Sequence, residues 1–236
     1  MIRPDLALYT PVRWSKGHAP LRVCWLDGDK DVQRQIEAIE AGPEGWSAAC
    51  ALGFTFGASA YQSDVRVTFT AGASWAYMGD WSPPAPAPTM QLGWLRADTN
   101  PIEVRRVWLH EAGHTLSFAH EHETTTALAS IPWDWPGIEG WCKAHDVPLD
   151  DWKAEWLQPF APEVIDQPRY DPASIMGYYI PTDWTLDRAQ RGGATCLSAQ
   201  DRELAAHWYG PSMRPPPTPP PPPKPSWRLY FPIGAR

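Results

Sequence analysis

Val65, Val67 and Phe69 alternate with polar neighbours, a period of two that predicts a half-buried strand, and Arg22 to Trp25 reads as a short strand before it. Ala51 to Phe56 reads as another strand. Between these, Val32, Ile36 and Ile39 recur at helical spacing, so Asp31 to Ala41 is expected as an amphipathic helix stopped by Gly42-Pro43. A Pro-rich loop, Ser82 to Pro88, leads into Met90 to Leu95, expected as an edge strand. The clearest helix starts after Asn100, a good N-cap, with Pro101 at the first helical position and Glu103 completing a variant capping box; it should run to about Ser117. From Glu121 to Gln190 the periodicity fades among Trp, Pro and Asp, which predicts loops and short turns. Ser198-x-x-Asp201 marks a last helix that ends at Gly210-Pro211. The layout is that of a twisted sheet with helices packed on it.

After Gly210 the character changes, with eleven of the 28 prolines falling in the last 26 residues. Pro215 to Pro225 is expected as a polyproline II spacer, and the aromatic end Trp227 to Phe231 either docks on the body, engages a partner or stays disordered. The chain of 236 residues suffices for one sizeable core or two lobes sharing a cleft. A hydrophobic share of 43% with net charge −7 fits a globular protein and, without clustered Lys and Arg, argues against a nucleic-acid partner. No apolar run reaches the roughly 18 to 20 residues of a membrane span, and the opening MIRPDLALYTPVRW lacks the continuous apolar centre of a signal peptide. Cys24, Cys50, Cys142 and Cys196 are an even, scattered set without close C-x-x-C pairs. Two disulfides of unassigned pairing are expected, with buried free thiols as the alternative.

Four of the seven histidines fall between His110 and His122, in the run HEAGHTLSFAHEH. On a helix, His110 and His114 stand one turn apart on the same face, the geometry by which two imidazoles share one tetrahedral Zn²⁺. Glu111, rotated by about 100° from His110, falls beside the ion and is placed to act as a base. His120 lies too far along a continuing helix to reach the same ion, so the helix must end and the chain turn back. Three protein ligands leave the fourth position for water, which marks a catalytic rather than a closed structural zinc. His122 reads as a surface or supporting residue and as the substitute should His120 not bind; His18, His145 and His207 read as ordinary histidines.

HEAGHTLSFAH resembles the zinc signature H-E-x-x-H-x-x-G-x-x-H of the metzincin metalloproteases, and Ser174-Ile-Met-Gly-Tyr178 resembles their Met-turn. The group most similar is the astacins, in which a Glu follows the third His, here Glu121, and a Tyr stands two residues after the Met, here Tyr178. Trp14 to Val23 is similar to the opening strand of that family. The resemblance implies an α+β catalytic domain: a twisted mixed sheet with the zinc-binding helix in an N-terminal lobe (1–120), an irregular C-terminal lobe with Met-turn and terminal helix (121–210), and the Pro-rich tail (211–236). It implies a zinc-dependent endopeptidase with one Zn²⁺ per chain on His110, His114 and His120, Glu111 as general base, Tyr178 near the metal as oxyanion donor, Met176 as apolar floor and Glu121 as a structural carboxylate near the N-terminal region. Leu92, Gly93 and Trp94 would lie on the edge strand that pairs with an extended protein or peptide substrate. Such an enzyme is expected to be extracellular and monomeric, and the tail is a candidate for binding a partner. Ser117 departs from the family at the turn Gly, which demands a left-handed serine at a cost of about 1–2 kcal/mol.

The competing readings are a catalytically silent metzincin and a binding protein whose 15 tryptophans grip peptides or glycans. The retained Glu111 argues against the first, since a binding module needs no base beside a metal, and most of the tryptophans are expected in core or loop packing.

Overall fold

The computed structural model describes residues 8–157, 159, 165–166 and 169–213; the polyproline stretch 215–225 and the aromatic end 227–231 lie outside them. Its first half is built on five short strands, β2 (Leu21–Trp25), β3 (Phe54–Phe56), β4 (Val65–Thr68), β5 (Trp75–Ala76) and β6 (Met90–Gln91), in the order β3-β2-β4-β6-β5. All pairings are parallel except β5 on β6. Met90 therefore does not open an edge strand as expected: β6 is covered on its far side by β5, and Trp75–Ala76 forms the edge. Leading into this sheet, β1 (Leu8–Tyr9) pairs antiparallel with β7 (Ile165–Asp166).

Helix α1 (Lys30–Ala41) starts where Asp29 caps the Asp31 and Val32 amides, and its Val32 and Ile36 face the core, as the spacing predicts. Helix α3 (Pro101–Thr115) packs on α1 and lies across the sheet through Trp108, whose ring meets Trp25, Phe54 and Phe56 at 6.2, 5.5 and 6.0 Å. Asn100 caps α3 by accepting the Ile102 amide, but Glu103 does not reach back; it takes Arg106 and the Trp94 indole instead. Between α1 and α3, the carboxylate of buried Glu40 accepts from the Trp108 indole at 2.8 Å, and from the amide and hydroxyl of Ser47 in α2 (Trp46–Ala49). Several donors of this kind are what make a buried carboxylate tolerable.

The stretch expected to be loops holds three helices, α4 (Thr125–Ser130), α5 (Trp135–Ala144) and α6 (Leu149–Trp156). Helices this short are marginal alone and depend on tertiary burial. Here it comes from a second apolar cluster in which Trp184 meets Trp141, Trp152 and Trp156 edge-on at 5.0, 5.2 and 5.1 Å. The cysteines are another correction, because all four are free. Cys50 is buried in the first apolar cluster, Cys142 in the second, and Cys196 is exposed, so they are dispersed over separate elements and packing supplies the stabilisation expected from cross-links. The last helix, α7 (Ala199–Tyr209), opens on the predicted Ser198/Asp201 capping box and returns to the first cluster, where the Tyr209 hydroxyl donates to the Leu116 carbonyl at 2.8 Å.

Candidate metal centre

Helix α3 carries His110, Glu111 and His114 toward one cleft and ends at Leu116. Ser117 then takes the left-handed conformation that the sequence demanded, φ 68°, and the chain reverses, with the Ser117 and Phe118 amides closing on the His114 and Gly113 carbonyls. The N-terminal segment clamps this turn. The Tyr9 amide donates to the Ser117 carbonyl at 2.8 Å, and the Ser117 hydroxyl to the Val12 carbonyl at 3.0 Å.

The reversal brings the His120 ring to 4.6 Å from His114 and 5.3 Å from His110, with His110 and His114 4.9 Å apart, centroid to centroid. His110 Nδ1 sits 2.8 Å from the Ile175 carbonyl and His114 Nδ1 2.8 Å from the Phe118 carbonyl, which fixes Nδ1 as the donor and leaves Nε2 a bare acceptor. The Nε2 atoms of His114 and His120 are 3.1 Å apart. Two donors bound about 2.0–2.1 Å from one tetrahedral ion sit about 3.3 Å apart, so these side chains fit Zn²⁺ with little movement. Burial, the largest cause, lowers His110 to about 4, His120 to about 3 and His114 well below its ordinary value, so at neutral pH all three are uncharged, as a metal requires.

Burial also pushes the Glu111 carboxyl up to about 8, against the opposing pull of Arg106. Its Oε2 is buried and meets no hydrogen-bond partner among the described residues. An unpartnered buried carboxyl oxygen beside three neutral imidazoles matches a cation site with its water. Tyr178 stands over the cluster at 4.2 Å from the His120 ring, and burial raises its phenol to about 12. Met176 is fully buried beneath α3, where a Cβ added at Gly113 would fall 2.3 Å from its Sδ. Glu121 is fully buried too; its amide donates to the Met176 carbonyl and its Oε1 accepts the Asp171 amide at 2.6 Å. His122 is no surface residue, for it is buried and stacked on Tyr178 at 4.7 Å.

On one side of the imidazoles the cleft encloses about 660 Å³, walled by Trp75, Tyr77, Met78 and Trp81. A second recess of about 490 Å³ holds Trp94, Arg106 and Tyr179. Of the three residues expected to meet substrate, Trp94 therefore reaches a cleft wall, whereas Leu92 and Gly93 are buried, Gly93 so close to Gly72 that an added Cβ would lie 2.2 Å from its carbonyl. The aromatic wall from Trp75 to Trp81 escaped the sequence reading, although Trp75 and Tyr77 stand two apart, as on a strand face. Glu123, whose Oε2 lies 3.3 Å from His120 Nδ1, escaped it as well.

No family model matches the chain, and neither does any curated protein. Among solved structures, one of myroilysin superposes with a TM-score of 0.74 at 27% identity, covering 86% of this chain and 98% of that one. The chain resembles a metzincin zinc protease of the astacin type. A second myroilysin structure matches at TM-score 0.59 and 28% identity, covering 87% of this chain and 89% of that one. High choriolytic enzyme 1, a hatching enzyme zinc-protease of the medaka fish Oryzias latipes, matches at TM-score 0.57 and 15% identity over 85% of this chain and 95% of its own, which speaks for the fold.

Proposed function

We propose that the chain is a zinc-dependent endopeptidase that holds one zinc ion on His110, His114 and His120 and hydrolyses peptide bonds in protein substrates. The observation that carries this reading is the convergence of three neutral imidazoles beside the buried Glu111 carboxyl, whose Oε2 meets no partner among the described residues, in an open cleft. Bound zinc would polarise the scissile carbonyl and make a water acidic enough to lose its proton near neutral pH. Burial alone would keep the Glu111 carboxyl protonated at neutral pH; beside a bound cation it would ionise, and its Oε2 would take the attacking water's proton and deliver it to the leaving nitrogen. The Tyr178 hydroxyl, which stays protonated at neutral pH, donates to the developing oxyanion. Met176 supports α3 from below, and Glu121 ties the returning segment to the chain at Asp171.

An extended substrate pairs with the outer side of β5, whose Trp75 and Ala76 line the cleft, while Trp94 forms part of the neighbouring recess. Described residues from both 8–120 and 121–210 line this cleft, and α7 returns to the first apolar cluster. The enzyme acts as a monomer outside the cell.

Two measurements test the proposal. Purified protein should contain about one zinc per chain and lose cleavage of an unfolded substrate such as casein on chelation, regaining it with added zinc. Glu111→Gln should keep the metal and lose about 10² to 10⁴ in rate. Full activity in stripped protein, or in Glu111→Gln, overturns the mechanism.

A further inference from the structure

All three imidazoles have their Nδ1 side engaged, but not by the same kind of group. His110 and His114 face backbone carbonyls at 2.8 Å. His120 faces a side chain, with Nδ1 3.3 Å from Glu123 Oε2. We infer that Glu123 is the positioning residue for His120: its carboxylate attracts the proton-bearing Nδ1 side of the ring and so turns Nε2 toward His114. This rests on reading His110, His114 and His120 as the metal ligands.

The local backbone explains why such a partner is needed and how it is supplied. His110 and His114 are oriented by a fifteen-residue helix, whereas His120 sits in extended backbone just before a single 3₁₀ turn, Glu121–Glu123. In a 3₁₀ turn, residues three apart lie over one another. The Glu123 amide closes on the His120 carbonyl at 3.2 Å, which stacks the two side chains and brings the carboxylate to the ring. At 18% and 23% side-chain exposure both groups are largely out of water, so the attraction between the carboxylate and the Nδ1–H dipole of the neutral ring is only partly screened. Tyr178 at 4.2 Å and His122 at 5.4 Å crowd the same ring and limit its rotation. A ligand histidine whose second nitrogen faces a carboxylate is held in one tautomer and one orientation and binds metal more strongly.

A rival use of the same residues makes the inference testable. His120, His122 and Glu123 could themselves hold an ion, since their donor atoms lie within 4.8 Å of one another. Zinc affinity of the full chain, Glu123→Ala and Glu123→Gln would be measured by competition with a chromophoric chelator, with metal content by mass spectrometry and melting of the metal-free proteins as a check on folding. We expect one zinc per chain, a loss in affinity of about 10- to 100-fold for Glu123→Ala, a smaller loss for Glu123→Gln, which keeps an acceptor oxygen, and little change in metal-free melting. Wild-type affinity in Glu123→Ala overturns the inference. So do two zinc ions per chain that fall to one in Glu123→Ala, the signature of a separate site. A folded wild-type chain that binds no zinc sinks the ligand reading itself, whereas tight wild-type binding that ignores Glu123 sinks only this inference.

Discussion

Replacing Gly113 by Ala places one methyl group where α3 meets the turn at Ser174–Tyr178. An ideal Cβ there lies 2.3 Å from Met176 Sδ and 3.2 Å from both Met176 Cε and a Trp46 ring carbon. Comfortable contact is about 3.5–4.0 Å, so the overlap with sulfur is about 1 Å or more. Neither neighbour can retreat easily. Trp46 is fully buried, its indole donates to the Leu109 carbonyl at 2.8 Å, and its ring stacks on Phe118 at 5.1 Å. Met176 is fully buried and its amide is held by the Ser174 hydroxyl at 3.0 Å. An unobstructed Gly to Ala change inside a helix gains about 1 kcal/mol, while overpacking costs about 1–3 kcal/mol. We expect overpacking to win, with a net loss of up to about 2 kcal/mol in urea melts under chelation. Zinc affinity should fall as well, because the displaced turn carries the Ile175 carbonyl that orients His110. Met176→Ala alone should cost about 2–5 kcal/mol, yet the double variant should lose at least about 1 kcal/mol less than the sum, since the truncated side chain vacates the contested space. A Gly113→Ala protein more stable than wild type, or a cycle that simply adds, refutes this account of the packing under the site.

Metal-free protein should show two pH limbs. His110 and His120 titrate near 4 and 3 in the folded state against an ordinary 6.5, so the unfolded chain takes up protons first and stability is lost as pH falls from about 6.5 toward 3. Glu111 titrates near 8 against an ordinary 4.5, so the folded state binds the extra proton and stability declines as pH rises toward 8; urea melts above pH 7 should show that slope, and its persistence in Glu111→Gln would assign it elsewhere. Asp201→Ala removes the buried acceptor of the Ser174 hydroxyl at 2.8 Å and of the Ile175 and Ser198 amides at 3.0 and 2.7 Å. With about 1–3 kcal/mol for each buried donor left alone, the denaturation midpoint should reveal a loss of about 3 kcal/mol or more, and a loss under about 1 kcal/mol would mean the carboxylate network is dispensable.

What could be read directly from the chain was local. The spacing of His110 and His114, the caps Asn100 and Ser198, the α1 stripe and the left-handed turn at Ser117 each depend on residues a few positions apart, whose geometry is set by one helical turn or one backbone conformation. Tertiary structure decided which strand lies at the sheet edge, because Trp75–Ala76 covers β6 through a pairing that no local pattern encodes. It also decided that three helices form within residues 125–156, since tryptophans distant in sequence bury those short segments, and that four cysteines remain apart. Above all it supplied the partners that aim the imidazoles. The Ile175 carbonyl reaches His110 across 65 positions, a contact that exists only once the second half of the chain has packed against the first.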